Sequence, residues 1–343
     1  MSDLVLVTGA SGYIAGHAIL QLLARGYRVR GTLRSLIRAD EVRNWLSKAH
    51  GASITKEDLE LVEADLSSDK GWDAAMQGVR YVLHLASPFP PSVPKNADEL
   101  IVPARDGTLR IMHAASRAKV ERVVQTSSTV AVAYGHDHPN GHVFTEADWT
   151  NLDHPEVSPY AKSKTIAERA AWAELPKLER TIEWVVVNPG LVLGPVFDKD
   201  ASASVDVVKK LLDKSVPGLP RLGFPIVDVR DLADLHMRAM LDPKAAGQRF
   251  IGAGPFLWMA DIATTLKNEL GAQGTVVPMR KLPDFAVRLV GMFDPVVKAQ
   301  LHELGKMRIL SCDKAHQVLG WKQRPLKETI VDTANSLFAV GAV

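Results

Sequence analysis

The first two dozen residues constrain this chain more than any other stretch. Leu4-Val5-Leu6-Val7 is a short, continuous apolar run, as expected of a parallel strand buried on both faces. The turn Thr8-Gly9-Ala10-Ser11-Gly12 follows at once. Apolar residues then recur at Ile14, Ala18 and Leu22 and at Ala15, Ile19 and Leu23, a helical spacing, with Gly26 where a C-terminal cap belongs. A dinucleotide's pyrophosphate needs backbone amides at a helix N-terminus and no side chain where it approaches, which is why glycine recurs in such turns. Gly9 to Ala15 meets that need as G-x-x-G-x-x-A. Alone the pattern is weak, and its weight comes from standing between a strand and an amphipathic helix. Gly9, Ser11, Gly12, Tyr13 and Ile14 are the expected cofactor contacts of this turn.

The same alternation continues downstream. Strands are expected over 27–33, 59–63, 81–86, 122–126 and 182–187, and helical spacing over 39–49, 72–76, 97–117 and 160–173. Strands separated by such crossovers imply an α/β fold, a Rossmann doubly wound parallel sheet. After Pro195 the rhythm breaks under Pro217, Pro220, Pro225, Pro243, Pro255, Pro278, Pro283 and Pro295, with shorter helical pieces such as 260–270. The expected division is a dinucleotide-binding domain over 1–195 and a smaller C-terminal α/β lobe over 196–343. That lobe mainly binds substrate, and a part around 226–240 is free to return to the main domain.

Composition narrows the partners. Lys and Arg total 41 against 39 Asp and Glu, so a net charge of +2 gives no bulk attraction to nucleic acid or an anionic membrane. The single cysteine, Cys312, excludes an intramolecular disulfide and any multi-thiolate zinc site, and it suits a reducing, cytoplasmic setting. The N-terminus lacks the pattern of a signal peptide. The longest apolar stretch, 182–197, is interrupted by Glu183, Asn188, Pro189 and Pro195, which makes it a poor membrane span. Monomer and homodimer remain equally open.

Which dinucleotide the turn holds is normally decided at the end of the second strand: a carboxylate takes the 2′-hydroxyl of NAD, and arginine the 2′-phosphate of NADP. Here the strand runs Gly31-Thr32-Leu33-Arg34, with Arg38 four residues on and no carboxylate before Asp40, so NADP(H) is expected. Asp65-Leu66, after the third strand, would lie near the adenine, although Asp65 serves equally as a helix cap. Ala86 and Ser87 fall at the carboxyl end of the fourth strand, where ligands bind in such sheets.

Thr126-Ser127-Ser128 ends another strand, and Ser158-Pro159-Tyr160-Ala161-Lys162-Ser163-Lys164 opens a helix. Tyr160 and Lys164, four residues apart, share a face. A tyrosine is a poor proton carrier at neutral pH while its pKa stays near 10, and an adjacent ammonium favours the phenolate. With the glycine turn, these residues resemble the extended short-chain dehydrogenase/reductase family. Val29 to Arg34, His84-Leu85-Ala86-Ser87-Pro88 and Tyr160 through Trp172 resemble the branch of dihydroflavonol 4-reductases, cinnamoyl-CoA reductases and microbial aldehyde and ketone reductases. The resemblance is densest up to about residue 195.

It implies that Tyr160 is the general acid in carbonyl reduction, Lys164 its pKa modulator and ribose anchor, and Ser128 a hydrogen-bond donor to the substrate carbonyl. It also implies that Pro189-Gly190-Leu191-Val192 forms the loop at the nicotinamide end. Two departures bear on substrate. Cinnamoyl-CoA reductases carry Asn-Trp-Tyr where this chain has Ser158-Pro159 before Tyr160, which argues against that specific activity. The asparagine that touches the flavonol ring in flavonoid reductases is matched by Ala133, which argues against a strict flavonoid substrate. A bulky or aromatic carbonyl compound, contacted by Phe89, Ser128, Tyr160 and Phe197, is the expectation, because the later part of the chain also offers Leu219, Phe224 and Phe256 and few charges for a sugar nucleotide.

Other readings compete. A nucleotide-sugar epimerase or dehydratase shares Ser128, Tyr160 and Lys164, but it would keep NAD bound, against Arg34 and Arg38. A hydroxysteroid-type dehydrogenase is an oxidative variant. A non-catalytic NADP sensor would be expected to lose the tyrosine. The loop His136-Asp137-His138-Pro139-Asn140-Gly141-His142 packs three histidines, yet its proline and glycine favour a turn and the chemistry needs no metal, so no metal site is expected. His84, Trp149 and Trp172 are expected to pack in the core.

Overall fold

The structure is a computed structural model, and it describes residues 3–88, 96–137, 141–199 and 202–343. Phe89 and the centre of the histidine loop lie outside the described residues. The chain starts with strict alternation: β1 (Leu4–Val7), α1 (Tyr13–Ala24), β2 (Arg28–Leu33), α2 (Ala39–His50), β3 (Leu59–Glu63), α3 (Trp72–Met76), β4 (Tyr81–His84), α4 (Asp98–Arg117) and β5 (Arg122–Thr126). A two-residue strand β6 (Val143–Phe144) precedes α5 (Pro159–Glu174), β7 (Glu183–Pro189) and β8 (Leu191–Leu193). Then come α6 (Asp206–Leu212), β9 (Gly223–Asp228), α7 (Val229–Leu241), β10 (Arg249–Gly252), β11 (Phe256–Trp258) and α8 (Met259–Glu269). Short helices α9 (Asp284–Val290) and α10 (Pro295–Gln300), strand β12 (Ile309–Leu310), α11 (Asp313–Leu319) and α12 (Leu326–Ala339) complete the chain.

The central sheet has seven strands in the order β10-β7-β5-β4-β1-β2-β3, every neighbouring pair parallel. It is the Rossmann-type sheet expected, and it is buried on both faces because alternate side chains point to opposite layers. Val5, Val7, Leu83, Val124, Val185 and Val187 face α1, α2 and α7. Leu6, Val82, Val123, Trp184 and Val186 face α3, α4 and the end of α5. The chain leaves β1 to one side and later returns to its other side at β4, so the crevice at their carboxyl ends is the switch point where ligands bind in open α/β sheets.

Beyond β7 the course is more intricate than proline content alone conveys. β8 and β9 pair in parallel and β9 and β11 antiparallel in a separate three-stranded sheet. With α6, α8 and α12 they enclose a second core built on Leu193, Val208, Leu211, Ile226, Leu266 and Leu337. Between β9 and β11, however, the chain goes back to the large sheet. Leu232 and Leu235 of α7 and Phe250 and Ile251 of β10 join the core on the α1 side. Among the described residues no helix is long and apolar enough to cross a membrane.

Candidate active site

The glycine turn is built largely from backbone. Gly9 has φ +69°, a conformation L side chains avoid, and a Cβ there would lie 3.0 Å from the Cβ of Ala86. The turn is pinned to both neighbouring strands. The Gly9 amide donates to Thr32 Oγ1 at 3.0 Å and the Ala10 amide to the Thr32 carbonyl at 2.8 Å. Thr8 Oγ1 accepts the amides of Leu85 and Ala86, both at 3.0 Å, and pairs with His84 Nδ1 at 3.0 Å. Gly12 caps α1 with no side-chain bond, and the first helical turn carries no acidic residue. Ser11 and Gly12 are exposed, while the Tyr13 ring packs edge-on against His17 at 5.7 Å and Ile14 packs against the core. Tyr13 and Ile14 therefore offer a ligand backbone amides rather than side chains. An uncapped helix N-terminus behind a cradle that any Cβ would fill fits a bound pyrophosphate.

At the end of β2, Arg34 is exposed, and its side chain has no hydrogen-bond or ion-pair partner among the described residues. Arg38 differs, since its guanidinium grips both carboxylate oxygens of Glu41 at 2.8 and 3.1 Å. Asp65 forms a local turn, accepting the Ser67 amide at 2.8 Å and the Ser67 hydroxyl at 2.7 Å. Those bonds, with smaller help from Arg34 and Arg110, hold its carboxyl below the usual range. The Leu66 carbonyl accepts from Arg110, and Leu66 lines a narrow cleft with Ala86, Ser87, Thr108, Thr126 and Lys164.

α5 begins where the sequence says it should. The Ser158 hydroxyl accepts the Ala161 amide at 3.2 Å and Pro159 fills the first helical position, so Tyr160 projects from the first turn. Tyr160 hydrogen-bonds with Ser128, whose own Oγ accepts the Val130 amide at 3.3 Å at the start of a tight turn after β5. Burial raises the Tyr160 pKa and the Ser128 bond only partly offsets it. Lys164 Nζ donates to Ser87 Oγ at 3.0 Å. Burial lowers its pKa to about 8, opposed by the Glu168 carboxylate. The expected depression of the tyrosine by the lysine is thus not what this structure displays. Lys164 turns towards Ser87, and desolvation dominates at Tyr160.

Other expectations shift as well. The 189–192 segment is mostly strand: Pro189 ends β7, Leu191 begins β8, and a Cβ at Gly190 would collide with the Pro225 carbonyl, so the bend is locked against β9. Val192 is buried in β8. Phe197 stacks on Trp45 at 4.8 Å and tilts against His17 at 4.4 Å, which holds its ring to α1 and α2 rather than beside Tyr160. Leu219 lies in the small-lobe core. His84 is buried and its pKa is pushed down to about 3, by burial first and then by Lys164. His136 bonds to the Trp149 carbonyl at 2.9 Å. Among the described residues no group of three His, Cys, Asp or Glu is placed to hold a metal.

Trp149 and Trp172 are only half-buried, and the Trp149 face carries the Arg249 guanidinium at 3.7 Å. Sequence reasoning missed Tyr134, a buried neighbour of Tyr160. The Arg308 guanidinium lies 3.9 Å over the Tyr134 ring, and Arg308 Nε donates to the Ala133 carbonyl at 3.0 Å.

Comparison with known proteins places this arrangement. Residues 5–251 match the NAD dependent epimerase/dehydratase family. The NADPH-dependent methylglyoxal reductase of Saccharomyces cerevisiae is 32% identical over 356 residues, covering 97% of each chain. Cinnamoyl-CoA reductase 1 of Arabidopsis thaliana is 38% identical over 71% of this chain and 68% of its own. The crystal structure of the yeast methylglyoxal/isovaleraldehyde reductase complexed with NADPH superimposes with a TM-score of 0.78 at 30% identity, over 99% of this chain and all of that one. This chain belongs to the NAD dependent epimerase/dehydratase family, the extended short-chain dehydrogenases/reductases.

Proposed function

We propose that this protein reduces an aldehyde or ketone with a bulky or aromatic side to the alcohol, with NADPH as the reductant and Tyr160 as the proton donor. It is an oxidoreductase with NADP(H) as its cofactor. The observation that carries the reading is the Ser128–Tyr160 pair at the carboxyl end of the sheet: Ser128 follows β5, and Tyr160 stands on α5 with Lys164. Gly9, Ser11, Gly12 and the α1 amides would hold the pyrophosphate, and Arg34 the 2′-phosphate. Ala86, Ser87, Lys164 and the 189–192 bend would hold the nicotinamide half. Residues 1–195 supply most of these groups, and 196–343 mainly shape the substrate side. The lone, buried Cys312 suits a cytoplasmic home.

When bound, NADPH supplies a hydride to the carbonyl carbon. The chain's own residues manage the other half of the reaction. A carbonyl gaining a hydride becomes an alkoxide and needs a proton from a group that still holds one at working pH. The raised pKa of Tyr160 keeps its phenol protonated, so Tyr160 Oη can deliver that proton. The Ser128 hydroxyl, already bonded to Tyr160, can donate to the same oxygen and orient it. Lys164, with a pKa near 8, is mostly cationic at neutral pH; it leaves the resting phenol unlowered, and beside its bond to Ser87 it would hold the cofactor's ribose hydroxyls.

Absorbance at 340 nm tests the reading with aromatic aldehydes, diketones and bulky ketones, with NADPH and NADH in parallel. Turnover with NADPH is expected. Tyr160→Phe should cut kcat by about 10² to 10⁴ while NADPH affinity stays nearly unchanged. Unchanged turnover in that variant removes Tyr160 from the mechanism, and NAD retained through purification with no turnover favours an epimerase.

A further inference from the structure

Glu168 is fully buried, one helical turn after Lys164 on α5. A buried carboxylate costs several kcal/mol unless paired and hydrogen-bonded, and this one is. Arg249 Nε, from the edge strand β10, donates to Oε1 at 2.6 Å, and Asn188 Nδ2, from β7, donates to Oε2 at 2.9 Å. The same Asn188 amide donates its other hydrogen to the Ser128 carbonyl at 3.1 Å. Arg249 is clamped in turn: its Nη1 donates to the carbonyls of Glu146 and Asp148 at 2.8 and 2.9 Å, and its face lies on Trp149.

We infer that Glu168 is a positioning residue for the active site: through Asn188 it holds the Ser128 turn, and through space it keeps the charge on Lys164. The inference rests on the functional reading above, because it acts through Ser128 and Lys164. The alternative is architectural, a buried ion pair that ties β10 to α5 and nothing more. Two features weigh against that. The bond chain ends on Ser128 rather than in the core, and among the described residues Glu168 is the carboxylate that acts on Lys164. From β4, His84 faces Lys164 but is held neutral by its lowered pKa, and from α5 Tyr160 is a neutral phenol. From β5 and α4 the neighbours in the cleft are Gln125, Thr126 and Thr108, none of them charged. On Glu168 itself, the facing charges are Arg249 and Lys164.

The sign follows. A carboxylate favours the ammonium, so its loss lowers the Lys164 pKa below about 8. The rate of reduction should then fall at lower pH than in the native enzyme. The experiment is a pH profile of kcat and kcat/KM from pH 6 to 10, with NADPH and a carbonyl compound that the native enzyme turns over. Glu168→Gln should move the alkaline limb down by about one unit and lower kcat about tenfold. Because that variant leaves Arg249 buried and unpaired, Glu168→Gln with Arg249→Met is the second variant. It removes both charges and should keep the displaced limb.

An alkaline limb that stays in place in either variant overturns the inference. So does a limb restored in the double variant, or loss of folding in both, which makes the pair architectural. A native enzyme with no NADPH turnover fails the functional reading first, and the two failures are thereby distinct.

Discussion

The two halves of the site are made of different material. At the glycine turn the working groups are largely backbone amides, fixed by short-range geometry: a positive φ at Gly9, contact with Ala86 and two bonds to Thr32. At the Ser128–Tyr160–Lys164 end the working groups are side chains, positioned by partners far along the chain, such as Arg249, which lies 81 residues beyond Glu168. The contrast teaches where each half is fragile. The first breaks when a single Cβ is added; the second loses its settings when a remote charge is removed.

Gly9→Val is the sharpest way to break the first half. The substituted residue must hold φ +69° and place its Cβ 3.0 Å from Ala86, strain that costs on the order of 1–3 kcal/mol before any ligand is considered. Relieving it means moving the turn away from β4, which removes the anion cradle. NADPH affinity measured by fluorescence titration should fall by about a hundredfold or more, with a lower Tm, while the Tyr160–Ser128 pair is untouched. Equal affinity would show that the turn holds no pyrophosphate.

A smaller effect separates two arginines that look alike in sequence. Arg34 has no competing partner among the described residues, whereas Arg38 is already bidentate on Glu41. A charge-assisted contact to phosphate is worth about 1.5–3 kcal/mol, so Arg34→Ala should weaken NADPH by about tenfold to a hundredfold and NADH little. Arg38→Ala should change the NADPH/NADH ratio by only about threefold, because an exposed pair must be surrendered before Arg38 can help. Equal losses for the two cofactors in Arg34→Ala would remove the 2′-phosphate assignment.

Legibility follows the same division. The strand, glycine turn and helix are readable because they are contiguous within the first two dozen residues, and short apolar runs alone locate β1 to β5. The Tyr160–Lys164 spacing was readable for the same reason. What escaped was set by tertiary contact. Phe197 looked like a substrate wall as a lone aromatic, yet Gly16 leaves room on α1 for its ring and Trp45 stacks on it. β10, buried at the sheet edge, is a four-residue run beginning with arginine, too short and too mixed to announce itself. Glu168 carried a faint signal, an acidic residue one turn past the lysine. Only the burial of Arg249 opposite it gives that spacing a meaning.

His84 joins the two halves, bonded to Thr8 at the glycine turn and lying in the field of Lys164. Its folded pKa of about 3 lies below the ordinary histidine value of 6.5, so the unfolded chain binds a proton that the folded chain refuses between those values. Stability from this residue is complete above about pH 6.5 and is lost as pH falls towards 3. At pH 5 the loss is about 2 kcal/mol relative to pH 7. Urea midpoints of the native protein should therefore drop between pH 7 and 5, and His84→Gln, less stable at pH 7 for its altered bond to Thr8, should drop by correspondingly less. An identical decline in both would mean that acid reaches the fold elsewhere, with His17 and His236, each pushed down to about 4 by burial, next in line. A shallower decline would show that the joint between the backbone-built and side-chain-built halves depends on a histidine kept neutral.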